Sequence, residues 1–143
     1  MLTTLIEGLG FAEGLRWRDN ALWFSDFISR KVQSVDERGN LIRQGFVAGQ
    51  PSGLGFSTSG EVLAVSMLDR KLARLETDHL ELVTDLSEVS QFPCNDMLVD
   101  QDNNVYISTF SYDYWYQQIP NGATSPLIHI CLLYTSPSPR DLY

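Results

Sequence analysis

Glu13 and Asn95 are the side chains here whose type and setting could do chemistry. Each stands at the head of an apolar run, Glu13-Gly14-Leu15-Arg16-Trp17 and Asn95-Asp96-Met97-Leu98-Val99. A carboxylate and an amide carbonyl are oxygen donors that suit a hard cation such as Ca²⁺ or Mg²⁺, and Zn²⁺ accepts them as well. Two donors do not complete a site, so further ligands must come from other strands. On side-chain chemistry alone, Glu13 reads more simply as a carboxylate that caps a turn or stands in water. Asp96 and Asp100 read as residues that hydrogen-bond local backbone and fix turns. Cys94 adjoins Asn95, but His79 falls in an outer turn, so a Cys–His nucleophile is not expected.

The elements that must position these groups are written three times. Residues 13–26, 52–66 and 94–108 share one grammar: a polar residue, a short apolar strand, a turn and a β-branched or aromatic strand. Aligning Gly14, Gly53 and Asp96 gives intervals of 39 and 43 residues, and Trp17, Phe56 and Val99 keep the same intervals. A period near 40 residues with several short strands per unit is that of a propeller blade. The chain is therefore expected to be all-β, a partial β-propeller of about two and a half four-stranded blades. Strands are predicted over 14–17, 21–26, 31–36 and 41–47, then 53–56, 61–66, 71–76 and 80–85, with only 97–99 and 105–109 in the third unit. Residues 2–8 are expected to add a short outer strand.

Inner strands of a propeller begin at one mouth of the central channel, so Glu13, Ser52 and Asn95 should converge there. Ser52 is read as spacing and turn chemistry. Trp17, Trp23, Phe24 and Phe56 are read as core. The aromatic loop with Tyr112, Tyr114, Trp115 and Tyr116 could line a substrate entrance, although packing on the next blade is favoured; a turn is expected at Pro120-Asn121-Gly122.

Composition narrows the classes. The 143 residues carry 43% hydrophobic and 11% aromatic side chains, enough for a packed core, with a net charge of -8. No basic face is available to displace counterions from phosphate, which argues against nucleic acid. No apolar run reaches a membrane-spanning length and no secretory signal is visible, so neither membrane insertion nor export is expected. Two cysteines, Cys94 and Cys131, make no disulfide framework, and the expected setting is cytoplasmic.

Residues 126–143 abandon this grammar and end in Ser-Pro-Ser-Pro-Arg-Asp-Leu-Tyr. Leu127-Ile128-His129-Ile130 and Leu132-Leu133-Tyr134-Thr135-Ser136 can both be encoded by the run CTTATACACATCT in two frames. The continuation matches a translated sequencing adapter. The native propeller is thus assigned to residues 1–125 and a non-native tail to 126–143. His129 and Cys131 receive no functional weight.

Phe11-Ala12-Glu13-Gly14-Leu15-Arg16-Trp17, Leu22-Trp23-Phe24-Ser25-Asp26, Pro51-Ser52-Gly53-Leu54-Gly55-Phe56, Leu68-Asp69-Arg70-Lys71-Leu72 and Cys94-Asn95-Asp96-Met97-Leu98-Val99-Asp100 together resemble the N-terminal part of the gluconolactonase / regucalcin (senescence marker protein) / luciferin-regenerating-enzyme family. The resemblance covers residues 8–112, and the order and spacing of the segments carry it. It implies a six-bladed propeller whose channel holds one divalent cation (Ca, Zn or Mg, with Ca favoured) and opens sugar-type lactones by hydrolysis. Glu13 matches the metal-binding Glu. Asn95 matches an Asn beside the metal that contacts substrate or a metal-bound water. Some members carry a substrate-gripping Arg two residues before this Asn, where this chain has Pro93. The remaining ligands and the general base fall beyond residue 125, so no catalytic residue is assigned in the chain. As a fragment it should be inactive and poorly stable, with unpaired edges. The expected partner is a small lactone. The alternative is a metal-binding or regulatory propeller without turnover.

Overall fold

The computed structural model describes residues 1–113, 115, 119 and 121–132. Tyr114, Tyr116, Pro120 and the tail from residue 133 lie outside them.

Alternating apolar residues broken by turn-formers give a series of antiparallel hairpins. β1 (Ala12–Arg18) and β2 (Ala21–Asp26) are joined by Asp19 and Asn20, both at positive φ (52° and 58°), the backbone a tight two-residue hairpin demands. β3 (Lys31–Val35) and β4 (Leu41–Phe46) complete the first sheet in the order β1-β2-β3-β4. The second sheet repeats it with β5 (Pro51–Phe56), β6 (Val62–Ser66), β7 (Lys71–Leu75) and β8 (Leu80–Asp85). The third has β9 (Cys94–Val99) innermost, then β10 (Asn104–Thr109) and β11 (Leu127–Cys131). The chain is an all-β partial propeller. Among the described residues no helix is long and apolar enough to cross a membrane.

The core lies between sheets, and β6 shows how. Val62 and Ala64 face Trp23, Val32 and Leu54, whereas Leu63 and Val65 face Met97, Val105 and Ile107. Both faces of this strand are covered, which is why it reads as an unbroken apolar run. At the inner edge β1, β5 and β9 lie side by side and the backbones nearly touch. A Cβ on Gly14 would stand 2.6 Å from the Ser52 carbonyl oxygen, and one on Gly53 would stand 2.4 Å from the Met97 nitrogen. The repeated glycine is thus the contact point between one inner strand and the next.

The structure corrects three expectations. Residues 2–8 form no strand, because no described strand offers their backbone a partner; the segment runs past the β3–β4 turn, with the Leu5 carbonyl against Gly39. Trp17 is not core: it is 57% exposed, against 8% for Trp23. The reason is orientation. Arg16 and Arg18 on β1 reach toward the second and third sheets, bonding the Met97 and Ser57 carbonyls, so Trp17 stands on the opposite face. The third sheet has three strands, since Leu127–Cys131 pairs along β10 with Ile128 buried and Leu127 and His129 turned outward. Phe24 is fully buried, and Phe56 packs edge-on against Trp23.

Candidate functional site

The site begins with a bulge. The β1–β2 register shifts between Glu13 and Arg16, and Gly14 sits there at φ 62°, a conformation that suits glycine. The bulge turns the Glu13 side chain into a cavity of about 370 Å³, and Asn95, from the start of β9, lines the same cavity. Two side chains 82 residues apart in sequence are brought to one space. Among the described residues, neither the Glu13 carboxylate nor the Asn95 amide hydrogen-bonds to the protein.

Ser52, the third residue expected at this mouth, plays a different part. It is fully buried, and its hydroxyl donates to the Asn95 backbone carbonyl at 2.6 Å. Its own carbonyl accepts from the Ser25 hydroxyl at 2.7 Å. The relay ties β2, β5 and β9 together beneath the cavity. Ser52 is therefore an inter-sheet strut that sets the height of Asn95, and turn chemistry does not describe it.

Asp96 bonds local backbone as expected, its carboxylate accepting from the Met97 N–H at 2.8 Å, but it does so within β9 and also reaches the first sheet. Its carboxylate accepts from Arg16 Nη2 at 2.9 Å, and the same nitrogen donates to the Met97 carbonyl at 2.8 Å, pinning β1 to β9. Asp100 does fix its turn, accepting from the Asp102 and Asn104 backbone and the Asn104 amide. Burial raises the Glu13 carboxyl above its ordinary range, and the Asp96 charge adds to the rise. An unpaired, partly desolvated carboxylate is a group that a bound cation would relieve. Oxygen donors of this kind fit a hard dication, but among the described residues no three His, Cys, Asp or Glu side chains gather at one point. The pair can supply part of a coordination shell.

Cys94 is buried at the head of β9, where desolvation pushes its thiol up to about 11; His79 stands exposed beside Asp78 in the turn before β8. The two make no nucleophilic pair.

Sequence reasoning missed the walls. Phe27, Met67 and Phe110 line the cavity, each the first residue after the second strand of its sheet. Each donates its backbone N–H to the residue just before the first strand: Phe27 to Phe11 at 3.0 Å, Met67 to Gln50 at 2.8 Å, Phe110 to Pro93 at 2.9 Å. The signal was present in the spacing, because these apolar residues recur at intervals of 40 and 43, close to the repeat already recognised. Trp115 also lines the cavity, its ring 6.2 Å from that of Phe27, so this member of the aromatic loop belongs to the mouth. Asp26 was missed too. Its buried carboxylate accepts from the backbone N–H of Gly10 and Phe11, which anchors the segment that carries Phe11 to the rim.

With that geometry in place, comparison with known proteins is informative. The family model "SMP-30/Gluconolactonase/LRE-like region" matches residues 11–130. Among solved structures, a gluconolactonase from Xanthomonas campestris superposes with a TM-score of 0.59 at 20% identity over 74% of this chain and 37% of that one. A luciferin-regenerating enzyme superposes at 0.62 and 13% identity, over 85% and 44%. Virginiamycin B lyase from Staphylococcus aureus superposes at 0.58 and 12% identity, over 68% and 34%. These likenesses concern the fold, and the chain spans less than half the length of each of these structures. No protein of curated function matches it in sequence. By the family match across most of its length, the chain belongs to the SMP-30/gluconolactonase/LRE-like family.

Proposed function

We propose that the intact protein is a divalent-metal-dependent hydrolase that opens lactones, with gluconolactonase-like chemistry. The observation that carries this is the meeting of Glu13 and Asn95 in one cavity at the mouth of the inner strands, in a chain of this family. Glu13 would hold the cation, Ca²⁺ before Zn²⁺ or Mg²⁺, and when bound the cation would supply polarisation of the lactone carbonyl.

The chain's own residues do the rest of what is assigned here. Glu13 contributes a full negative charge from a partly desolvated position, where it counts for more than in water. Asn95, held through its backbone by Ser52, offers both an amide N–H and a carbonyl oxygen to orient the ester group. Arg16 pairs with Asp96, leaving Glu13 as the carboxylate that faces the cavity. The remaining donors and the general base are assigned to strands outside residues 1–125. The 143-residue chain alone is accordingly proposed to be inactive.

The test is lactone hydrolysis by the intact protein, followed as acid release, with and without a chelator. Activity should vanish with the cation and return with Ca²⁺, and Glu13→Gln should lower kcat/KM by about 100-fold or more while raising the cation concentration needed. Full activity in chelator, or unchanged turnover and cation demand in Glu13→Gln, would overturn the assignment. Cation binding without turnover of any lactone would favour the regulatory propeller instead.

A further inference from the structure

Resting on the lactonase reading, we infer that Arg70 is a positioning residue for the reaction: it clamps the link that leads into β9 and so fixes Asn95 at the cavity. Arg70 is the last residue before β7, and Arg30 holds the same place before β3, 40 residues earlier. Both have left-handed backbone, at φ 54° and 60°. That conformation is strained for a residue with a side chain and persists only where the surroundings hold it. The surroundings are the same in both sheets. The Arg30 carbonyl accepts from the Val47 N–H and the Arg70 carbonyl from the Leu86 N–H, both at 2.8 Å, so each arginine holds the first residue after the outer strand. Each guanidinium then bonds farther along the same link. Arg30 Nη1 donates to the Ala48 carbonyl at 3.3 Å, and Arg70 Nη1 to the carbonyls of Ser90 at 3.1 Å and Gln91 at 3.2 Å.

The two links differ in slack. Four residues, 47–50, join β4 to β5, whereas eight, 86–93, join β8 to β9, and this difference is the whole of the change in repeat interval from 39 to 43. The longer link first turns on itself, the Val89 and Ser90 N–H groups both meeting the Leu86 carbonyl, at 3.1 and 2.9 Å. Arg70 takes hold where that turn ends, and Asn95 stands four residues beyond Gln91. Between them the Cys94 N–H donates to the Met67 carbonyl at 3.1 Å, and Met67 begins the turn that Arg70 ends. The turn 67–70 therefore grips the approach to Asn95 at two points, while the Ser52 hydroxyl holds Asn95 itself. Without the guanidinium the long link keeps only its own turn and the Cys94 bond. Such placement matters to rate, since a shift of about 1 Å in a reacting geometry can cost about a hundredfold.

Arg70→Gly isolates the clamp, because glycine adopts this backbone without strain and the turn is kept while the guanidinium is removed. Arg30→Gly makes the same change at the shorter link and serves as the control. Amide hydrogen exchange on the intact protein reads the clamp without turnover. Arg70→Gly should speed exchange of the Cys94 and Asn95 amides by about tenfold or more, and Arg30→Gly by less than about twofold. In lactone hydrolysis Arg70→Gly should lower kcat/KM by about tenfold or more with the Ca²⁺ demand unchanged, since Glu13 is set from β1. In an Asn95→Ala background the same substitution should cost less than about twofold, because the group it positions is gone. Unchanged exchange at Cys94 and Asn95, equal losses from Arg30→Gly and Arg70→Gly, or an undiminished loss in the Asn95→Ala background would overturn the inference and leave the lactonase reading standing. A wild-type protein that turns over no lactone removes the lactonase reading and the part assigned to Arg70 with it.

Discussion

Glu13 is placed by its neighbour. Gly14 lets the strand bulge and lets β1 lie against Ser52, so the Glu-Gly pair works as one unit. The opposite member of the site depends on Ser52, whose hydroxyl reaches the Asn95 carbonyl from the next sheet. Ser52→Ala leaves that partly buried carbonyl without its partner and should cost about 1–2 kcal/mol in urea denaturation, with the m-value unchanged; a cost too small to measure would mean that the strut is idle. Asp26 carries a pH signature. Burial pushes its carboxyl up, but backbone hydrogen bonds from Phe11 and Gly10, with those from Ser29, outweigh burial and hold it at about 2, below the ordinary 3.8. Because the folded value is depressed, this stabilisation is complete above pH 4 and is lost as pH falls toward 2. Asp26→Asn should therefore cost about 2 kcal/mol at pH 7, with the gap from wild type closing between pH 4 and pH 2. A gap that stays constant over that window would refute the assignment. None of these partnerships was legible in sequence. Apart from Ser29, three residues from Asp26, each joins residues at least 15 apart, which local pattern does not record.

At the scale of strands and sheets the sequence was far more readable. The hairpins follow from alternation and from turn residues at fixed offsets, and β2 and β8 fall where the pattern put them. The pattern gives which residues share a face of a strand. It does not give which face meets a neighbour. Trp17 shows the difference, since it keeps the strand's alternation yet stands opposite the face that Arg16 and Arg18 turn to the adjoining sheets. Trp17→Lys should change stability by no more than about 0.5 kcal/mol, whereas Trp23→Ala, which empties a site among Val32, Leu54 and Leu75, should cost about 3–5 kcal/mol. Equal losses in thermal or urea unfolding would mean that the two faces of the first sheet are misassigned. The third strand of the third sheet escaped notice for another reason: Leu127-Ile128-His129-Ile130 has the alternation a strand needs but lies in a stretch whose composition breaks the repeat.

For the molecule as a whole, the proposed function depends on radial stacking. Three inner strands start at one end, and only for that reason do a carboxylate from the first sheet and an amide from the third face one cavity with an apolar ring around it. The repeat made this convergence legible, and the recurrence of Phe27, Met67 and Phe110 at the same interval shows that it specified the wall as well. The most direct measurement is paramagnetic broadening by Mn²⁺, a dication that oxygen sites accept, read in the NMR spectrum of the isotopically labelled chain. The account predicts that the Asn95 side-chain amide and the Glu13 backbone amide broaden together at the lowest Mn²⁺ concentrations, and that Glu13→Gln abolishes the effect at Asn95. Broadening that begins instead at the exposed turn carboxylates Asp36 and Asp100, with Asn95 untouched, would contradict it.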